Sequence, residues 1–144
     1  MKKLLKSLAI PVGIGVITGL IMMPFNDYQS LVKPPLAPPS IVFPIAWSIL
    51  YVLMGISAYL IERDKGNLDI YYFQLFFNAF WPIIFFVFKL RLISFIWIII
   101  LVILVIIMII RFYKINKTAS LLQIPYLLWL IIASYLNLGT YLLN

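Results

Sequence analysis

The sequence predicts an all-α membrane protein, a bundle of five transmembrane helices formed as a single domain by residues 1–144. Three observations predict this fold. The chain is 65% hydrophobic and only 10% charged, whereas soluble domains average about 25% charged residues. It contains five apolar stretches, each close to the roughly 20 residues that span a bilayer as a helix. The charged residues lie in short clusters between these stretches, so lipid can solvate the apolar surface that a soluble fold would leave in water.

The five apolar stretches define the predicted spans. They run over approximately Leu8–Met23, Ile41–Ile61, Ile70–Phe88, Leu92–Ile110 and Ala119–Leu143. In the first span, Gly15 and Gly19 form a pair of small residues at a spacing that lets another helix approach closely. In the fourth span Ser94 is the only strongly polar residue, so we expect this helix to face lipid over much of its surface. The later connections are short, and we expect consecutive helices to be antiparallel neighbours.

One connection, from Pro24 to about Ser40, is much longer than the others. Its segment Lys33–Pro39 contains four prolines, which exclude an α-helix. Adjacent spans need only a few connecting residues. We therefore interpret residues 24–40 as an extended, semi-rigid lid over one end of the bundle. A plain linker is the alternative interpretation.

The basic residues are distributed unequally between the two ends of the predicted bundle. The end with the amino terminus carries Lys2, Lys3, Lys6, Arg63, Lys65, Arg111, Lys114 and Lys117, and the other end carries Lys33, Lys89 and Arg91. Cations favour the cytoplasmic face. We therefore predict a multi-pass protein of the cell membrane, with its amino terminus in the cytoplasm and its first loop and carboxyl terminus outside. A cleaved signal peptide ending near Leu20 is the alternative, although no clear small-x-small cleavage site follows the apolar run.

The residue types that are absent exclude several kinds of chemistry. The chain has no Cys and no His, which excludes thiolate catalysis, Ser-His-Asp catalysis, zinc sites and axial His ligation of haem. We expect no metal and no cofactor. The net charge of +7 comes from clusters between the spans, so the predicted partner is the lipid bilayer rather than nucleic acid. The four acidic residues lie in loops or at span ends, which argues against an ion-coupled carrier with a buried carboxylate.

Polar and aromatic residues recur at spacings of three and four along one face of three spans, which places each set on a single helical face. The sets are Trp47 and Tyr51 in the second span, Gln74, Asn78 and Trp81 in the third, and Tyr126, Trp129, Ala133 and Asn137 in the fifth. In a bilayer such residues face protein or a cavity. One interpretation is helix packing with an aromatic interface belt. The other is a shared, mostly aromatic ligand cavity in which a few amides orient the ligand.

The same residues form motifs that follow one another in a fixed order. The motifs are Lys33-Pro34-Pro35-Leu36-Ala37-Pro38-Pro39, then Trp47 and Tyr51-x-x-x-Gly55, then Gln74-Leu75-x-x-Asn78-x-x-Trp81-Pro82-x-x-Phe85-Phe86, and finally Pro125-Tyr126-x-x-Trp129 with Ala133-x-x-x-Asn137. From about Tyr28 to Asn137, their order and spacing resemble the translocator protein (tryptophan-rich sensory protein) family. The chain is identified as a bacterial member of that family by this resemblance.

The resemblance implies a fold, ligands and a binding site. The family forms a five-helix bundle, often a homodimer, and binds porphyrins such as protoporphyrin IX. Animal members also bind cholesterol and synthetic benzodiazepine or isoquinoline ligands. The pocket lies between the helices under the first loop. Carried over by position, the ligand-lining residues are Tyr28, Trp47, Asn78, Trp129 and Ala133.

The chain departs from the family pattern at several positions. Leu36 and Asp27 stand where the family usually has Trp. We therefore do not expect this lid to hold the same ligands as tightly as the lids of other members do. The animal cholesterol motif needs a cation after a Tyr near the end of the last span. No cation follows Tyr135 or Tyr141, so we do not expect cholesterol recognition through that motif.

Three functions remain open from the sequence. The first is binding and sensing of a porphyrin, with Trp47 and Trp129 against the macrocycle, Asn78 donating to a polar edge and Lys33 meeting the propionates. The second is light-dependent porphyrin degradation, with the same two Trp residues as electron donors and candidate catalytic residues. The third is transport of a small amphipathic molecule.

Overall fold

The computed structural model describes all 144 residues, and they form helices joined by turns and loops. The α-helices are α1 (Lys2–Met22), α2 (Val42–Arg63), α3 (Asp69–Pro82), α4 (Arg91–Tyr113), α5 (Lys117–Leu121) and α6 (Ile124–Leu143). They make five spans long and apolar enough to cross a membrane, with α5 and α6 together forming the fifth. The predicted all-α membrane fold with five spans is therefore confirmed.

Two spans are less regular than their apolar stretches predict, and in both a proline marks the irregularity. Pro82 ends α3, and the chain continues as a wider π-helical turn over Ile83–Val87, since proline lacks the N–H that continues the α-helical ladder. The fifth span breaks between α5 and α6, and Pro125 occupies the first turn of α6, a position that suits a residue without an N–H. The single stretch predicted from Ala119 to Leu143 did not include this break.

The helices pack in a ring whose order differs from the chain order. Helix α1 packs against α2 and α3, α2 continues to α5 and α6, and α4 lies between α6 and α3. The expectation that consecutive helices are neighbours is therefore wrong for α2 and α3, because α1 packs against both of them and the two share few direct contacts. The short connection between α2 and α3 crosses one end of the bundle, and these two helices do not pack side by side along their length.

Helix α4 shows how a very apolar span divides between core and lipid. Its buried apolar residues recur at spacings of three and four and are Ile98, Leu101, Val105, Met108 and Phe112. The remaining faces expose isoleucines such as Ile96 and Ile103, as expected for a helix that faces lipid over much of its surface. Lipid tails are as apolar as these side chains, so close packing rather than hydrophobic transfer holds such a face in place.

The contact between α1 and α2 depends on glycine. A Cβ added at Gly55 would lie 2.8 Å from the Cα of Leu8 and 2.8 Å from the carbonyl oxygen of Ser7. A Cβ added at Gly15 would lie 2.5 Å from the ring of Tyr51. Gly19, in contrast, has open space around it. Gly15 and Gly19 therefore do not form a joint packing surface as their spacing predicts. The close packing of α1 on α2 occurs at Gly15 and Gly55 instead.

This difference predicts opposite effects of the same substitution at two glycines. Gly55→Ala is expected to destabilise the protein by roughly 1–3 kcal/mol, because backbone atoms of α1 must move away. Gly19→Ala is the matched control and should be neutral or stabilise by up to about 1 kcal/mol through helix propensity. Thermal unfolding of both variants in detergent micelles measures this. Equal shifts at the two positions would show that the α1–α2 contact is not close-packed.

Candidate functional site

The residues predicted to form a site all lie inside the bundle or under its first loop. Nine of the ten are less than a tenth exposed, and Trp47 is partly exposed. They fall into three groups: a central hydrogen-bonded chain, an aromatic cluster at the loop end, and a joint between α3, α4 and α6. Ala133 is also buried, one helical turn from Trp129 on α6.

The central chain links three helices through four side chains. The Tyr51 hydroxyl donates to Asn78 Oδ1 at 2.6 Å, and Asn78 Nδ2 donates to the Tyr126 hydroxyl at 2.8 Å. The Tyr126 hydroxyl in turn donates to Gln74 Oε1 at 2.7 Å. Water is absent from hydrocarbon, so these hydroxyls and the Asn78 amide find their partners within the protein, whereas Gln74 Nε2 has none. The chain fixes α2, α3 and α6 to one another at the centre of the bundle.

The loop-end aromatic cluster comprises Tyr28, Phe43, Trp47 and Trp129. Ring centroids of Tyr28 and Phe43 are 4.7 Å apart, those of Phe43 and Trp129 are 5.5 Å apart, and those of Trp47 and Trp129 are 6.4 Å apart. The three pairs meet edge to face, an arrangement that aromatic quadrupoles favour. Trp47 also stacks on Tyr51 at 5.7 Å, so the cluster adjoins the central chain.

Phe43 belongs to this cluster although the sequence analysis did not select it. It lies four residues before Trp47, which lies four residues before Tyr51. That spacing places all three on one face of α2. The helical periodicity that selected the other two residues would therefore have found Phe43 as well.

Trp129 differs from two other tryptophans in its polar group. Trp81 Nε1 donates to Asn137 Oδ1 at 2.9 Å, and Trp97 Nε1 donates to the carbonyl oxygen of Phe77 at 2.7 Å. Trp129 Nε1 is buried and has no hydrogen-bond partner. A buried indole N–H normally has one. The cluster therefore contains a donor directed at no protein acceptor.

The joint between α3, α4 and α6 takes up two of the predicted residues. Asn137 Oδ1 accepts from Trp81 and lies 3.0 Å from Ser94 Oγ, while Asn137 Nδ2 donates to the carbonyl oxygen of Arg91 at 2.8 Å. The structure thus brings Trp81 and Asn137 to each other rather than to Trp47 and Trp129. Ser94, the one polar residue noted in the fourth span, lies in this joint.

The first loop closes over the aromatic cluster through its own contacts. The Tyr28 hydroxyl donates to the carbonyl oxygen of Pro38 at 2.6 Å, and burial raises the pKa of this phenol, which keeps it a neutral donor. The Lys33 ammonium lies 4.8 Å from the Tyr28 ring centroid and within 3.4 Å of the Gln29 carbonyl oxygen. Leu36 is 97% exposed and points away from the cluster. The loop contains two short 3₁₀ turns, Met23–Phe25 and Tyr28–Ser30, and is less extended than predicted.

Helix α6 holds the far side of the loop. The Asn144 side chain makes a pair of hydrogen bonds with the backbone of Val32, at 3.1 Å and 2.8 Å. The Tyr135 hydroxyl donates to the carbonyl oxygen of Pro35 at 2.7 Å. Pro34 packs so closely on Gly139 that a Cβ there would lie 2.5 Å from the proline ring. These contacts favour a fitted cap over a plain linker.

Asp27 attaches the loop to the start of α4. Its carboxylate accepts from Arg91 Nη2 at 2.7 Å and from Lys89 Nζ at 3.1 Å. Partial burial by itself raises the pKa of the Asp27 carboxyl. The hydrogen bonds and charges of Arg91 and Lys89 outweigh that effect and hold the pKa below its usual range. In the sequence Asp27 differs from a family pattern, but nothing in its position predicts this ion pair.

Two open clefts of the structure lie at the other end of the bundle. One of about 570 Å³ is lined by residues at the start of α1 and the end of α2, and one of about 390 Å³ by residues near the α2–α3 and α4–α5 connections. Charged side chains make up five of the seven residues that line the first cleft and three of the six that line the second. The aromatic cluster is closed by contacts among its own rings, so a flat ligand fits there only if the rings and the loop separate.

Comparisons with known proteins agree with this architecture. Residues 7–142 match the TspO/MBR family. A tryptophan-rich sensory protein of Cereibacter sphaeroides is 33% identical over 88% of this chain and 82% of its own length. A tryptophan-rich protein TspO of Chlorobaculum tepidum is 32% identical over 100% of this chain and 99% of its own. The translocator protein of Ovis aries is 31% identical over 78% of this chain and 72% of its own.

The ion pair of Asp27 predicts a pH dependence of stability. A carboxyl with a lowered pKa in the folded state contributes stability above its unfolded pKa of about 3.9 and loses it as the pH falls through the folded value. We expect the unfolding temperature to fall progressively as the pH drops below about 5, toward the lowered pKa of the folded carboxyl. Asp27→Asn should lower it already at pH 7 and flatten the decline. Glu62→Gln, at an exposed acid without an ion pair, is the control and should keep the wild-type profile.

The central chain predicts an energetic coupling between Tyr51 and Asn78. Asn78→Leu leaves the Tyr51 hydroxyl buried without an acceptor and should destabilise the protein by about 1–3 kcal/mol. Adding Tyr51→Phe removes that hydroxyl and should recover part of the loss. Unfolding measurements on the two single variants and the double variant close the cycle. Strictly additive effects would show that the hydrogen bond contributes nothing.

Proposed function

Because this chain belongs to the TspO/MBR family of membrane proteins, we propose that it is a binding and sensory protein for porphyrins. The ligand would be protoporphyrin IX or a similar flat, hydrophobic molecule, held between the helices beneath the first loop. The single observation that carries this proposal is the aromatic cluster around the unpartnered N–H of Trp129. A flat ligand with acceptor groups at its edge supplies both the stacking surface and the missing hydrogen bond.

The roles of the individual residues follow from their present partners. Both polar groups of the Asn78 side chain are already bonded, to Tyr51 and to Tyr126. Asn78 is therefore better suited to positioning the helices around the ligand than to donating to it. Trp129 has its donor free and lies beside Trp47. We assign the contact with the macrocycle to these two rings and the polar contact to Trp129 Nε1.

Binding requires that the cluster open. Edge-to-face pairs such as Phe43 with Trp129 must separate to admit a macrocycle. Each such pair contributes only about 0.5–1.5 kcal/mol beyond its buried area, which stacking on a large ligand offsets. Lys33 now donates to loop carbonyl oxygens, and in the bound state its ammonium can exchange them for the propionates. The lid and the ligand thus compete for the same side chains.

We further propose the orientation predicted from the sequence. Eight cations lie at the amino-terminal end of the bundle and three at the loop end, where Lys89 and Arg91 are paired with Asp27. This asymmetry favours a cytoplasmic amino terminus and places the porphyrin site near the outer face. A homodimer is expected from the family resemblance alone and stays a prediction.

Replacing one indole tests the site without disturbing the fold. Trp129→Phe removes an N–H that has no protein partner, so stability should fall only by the packing lost with the smaller ring. Affinity for metal-free protoporphyrin should fall by about fivefold, equivalent to about 1 kcal/mol for one hydrogen bond. The titration is followed by porphyrin absorbance, because tryptophan substitutions alter the protein's own fluorescence.

Trp97→Phe is the matched control for this experiment. It removes an indole that bonds to Phe77 outside the cluster, so it should lower the unfolding temperature and leave porphyrin affinity unchanged. Identical affinities for the wild type and Trp129→Phe would remove the proposed hydrogen bond. Loss of affinity in both variants would point to a general effect of the substitution rather than to this site.

A further inference from the structure

The cleft at the amino-terminal end of the bundle has no role in the function proposed above. It measures about 570 Å³ and lies between the first turn of α1 and the last turn of α2. Its lining includes Lys2, Lys3, Arg63 and Lys65, together with Glu62 and the partly buried ring of Tyr59. Four cationic side chains therefore face one carboxylate across a space large enough for a small polar group.

The cations of this cleft are largely without protein partners. Lys2, Lys3 and Lys65 take part in none of the ion pairs of the structure. Arg63 contacts Asp64 through Nε alone, at 3.3 Å and on an exposed surface, a pairing worth little in water. Its terminal nitrogens are free to form the forked hydrogen bonds that guanidinium makes with phosphate. The cleft thus concentrates positive charge and donors without a counter-ion from the protein.

The backbone holds one of these cations in an unfavourable conformation. Lys65 has φ of 60° and occupies the position after the end of α2 where glycine is usual. The Lys65 N–H donates to the Glu62 carbonyl oxygen at 3.0 Å, and the Gly66 N–H donates to the Ile61 carbonyl oxygen at 2.8 Å, the two hydrogen bonds of a Schellman cap. Lysine is less favourable than glycine in this left-handed conformation, which the cap accommodates here.

The surroundings of the cleft indicate where its ligand comes from. The cleft lies at the end of two spans, and α1 exposes Leu5 and other apolar residues beside it. A lipid can place its acyl chains along this surface while its headgroup reaches the cations. Basic clefts between spans on the cytoplasmic side suit anionic headgroups. We propose that this cleft is a phosphate-binding site, occupied in the membrane by the headgroup of an anionic phospholipid.

A charge-matched pair of variants tests the proposal. The first carries Lys2→Gln, Lys3→Gln and Lys65→Gly, all in the cleft. The second carries Lys6→Gln, Lys114→Gln and Lys117→Gln, which remove the same charge at the same end of the bundle but outside this cleft. Binding of short-chain phosphatidylglycerol to each protein is measured in zwitterionic detergent, by native mass spectrometry and by the shift in unfolding temperature. Phosphatidylcholine and inorganic phosphate are added in parallel samples.

The expected result is selective loss in the first variant. At roughly fivefold per cation near a membrane surface, three substitutions should weaken phosphatidylglycerol binding about a hundredfold, whereas the second variant binds as the wild type does. Glu62→Gln should bind more tightly, since it removes the opposing charge. Displacement of the lipid by millimolar inorganic phosphate, with the same dependence on the variants, would support the phosphate site and identify a soluble ligand as its occupant. Equal loss in both triple variants, or equal binding of phosphatidylcholine, would overturn the proposal.

The single substitution Lys65→Gly separates ligand binding from folding. Glycine suits the left-handed position, so the ligand-free protein should unfold at a higher temperature than the wild type. Phosphatidylglycerol should nevertheless bind about fivefold more weakly. A variant that is more stable and binds the lipid unchanged would show that Lys65 is only a tolerated residue at a helix end and would contradict its role in the site.

Discussion

Hydrocarbon offers no hydrogen-bond partners, and this constraint decides where nearly every polar group in the spans lies. The hydroxyls and amides of Tyr51, Asn78 and Tyr126 satisfy one another across three helices, and Asn137 joins α3, α4 and α6 at the loop end. The few exceptions are therefore informative. Trp129 Nε1 lacks a partner inside a cluster of rings. The Tyr71 hydroxyl, Gln74 Nε2, Arg91 Nε and both amide atoms of Gln123 are also buried without a partner. Trp129 is therefore distinguished by its aromatic surroundings rather than by the missing partner alone.

Much of this arrangement could be predicted, because it depends on local periodicity. Five spans follow from apolar stretches of sufficient length, and the inward faces of α3 and α6 follow from polar residues spaced three and four apart. Which face a residue occupies is fixed by its own helix. The burial of Gln74, Asn78 and Tyr126 therefore agrees with expectation.

The rest could not be predicted, because it depends on which helices meet. Spacing along α3 selects Asn78 and Trp81 together, yet Asn78 bonds to Tyr51 of α2 as well as to α6. Trp81 instead bonds to Asn137, in the joint of α6 with α4. The position of α1 against both α2 and α3 depends on the close contact at Gly55. The sequence of this chain does not show which helix approaches that glycine. The Asp27 ion pair joins residues 64 positions apart. Periodicity within one helix cannot predict a contact over that separation.

Arg91 takes part in two separate groups of contacts. Its guanidinium holds Asp27 in the loop, and its carbonyl oxygen accepts the amide of Asn137 in the joint of α3, α4 and α6. A lifting of the loop that breaks the first contact therefore acts on the same residue that anchors the second. The cap and the joint of α3, α4 and α6 are therefore mechanically connected at this residue, and a load on either contact is transmitted to the other.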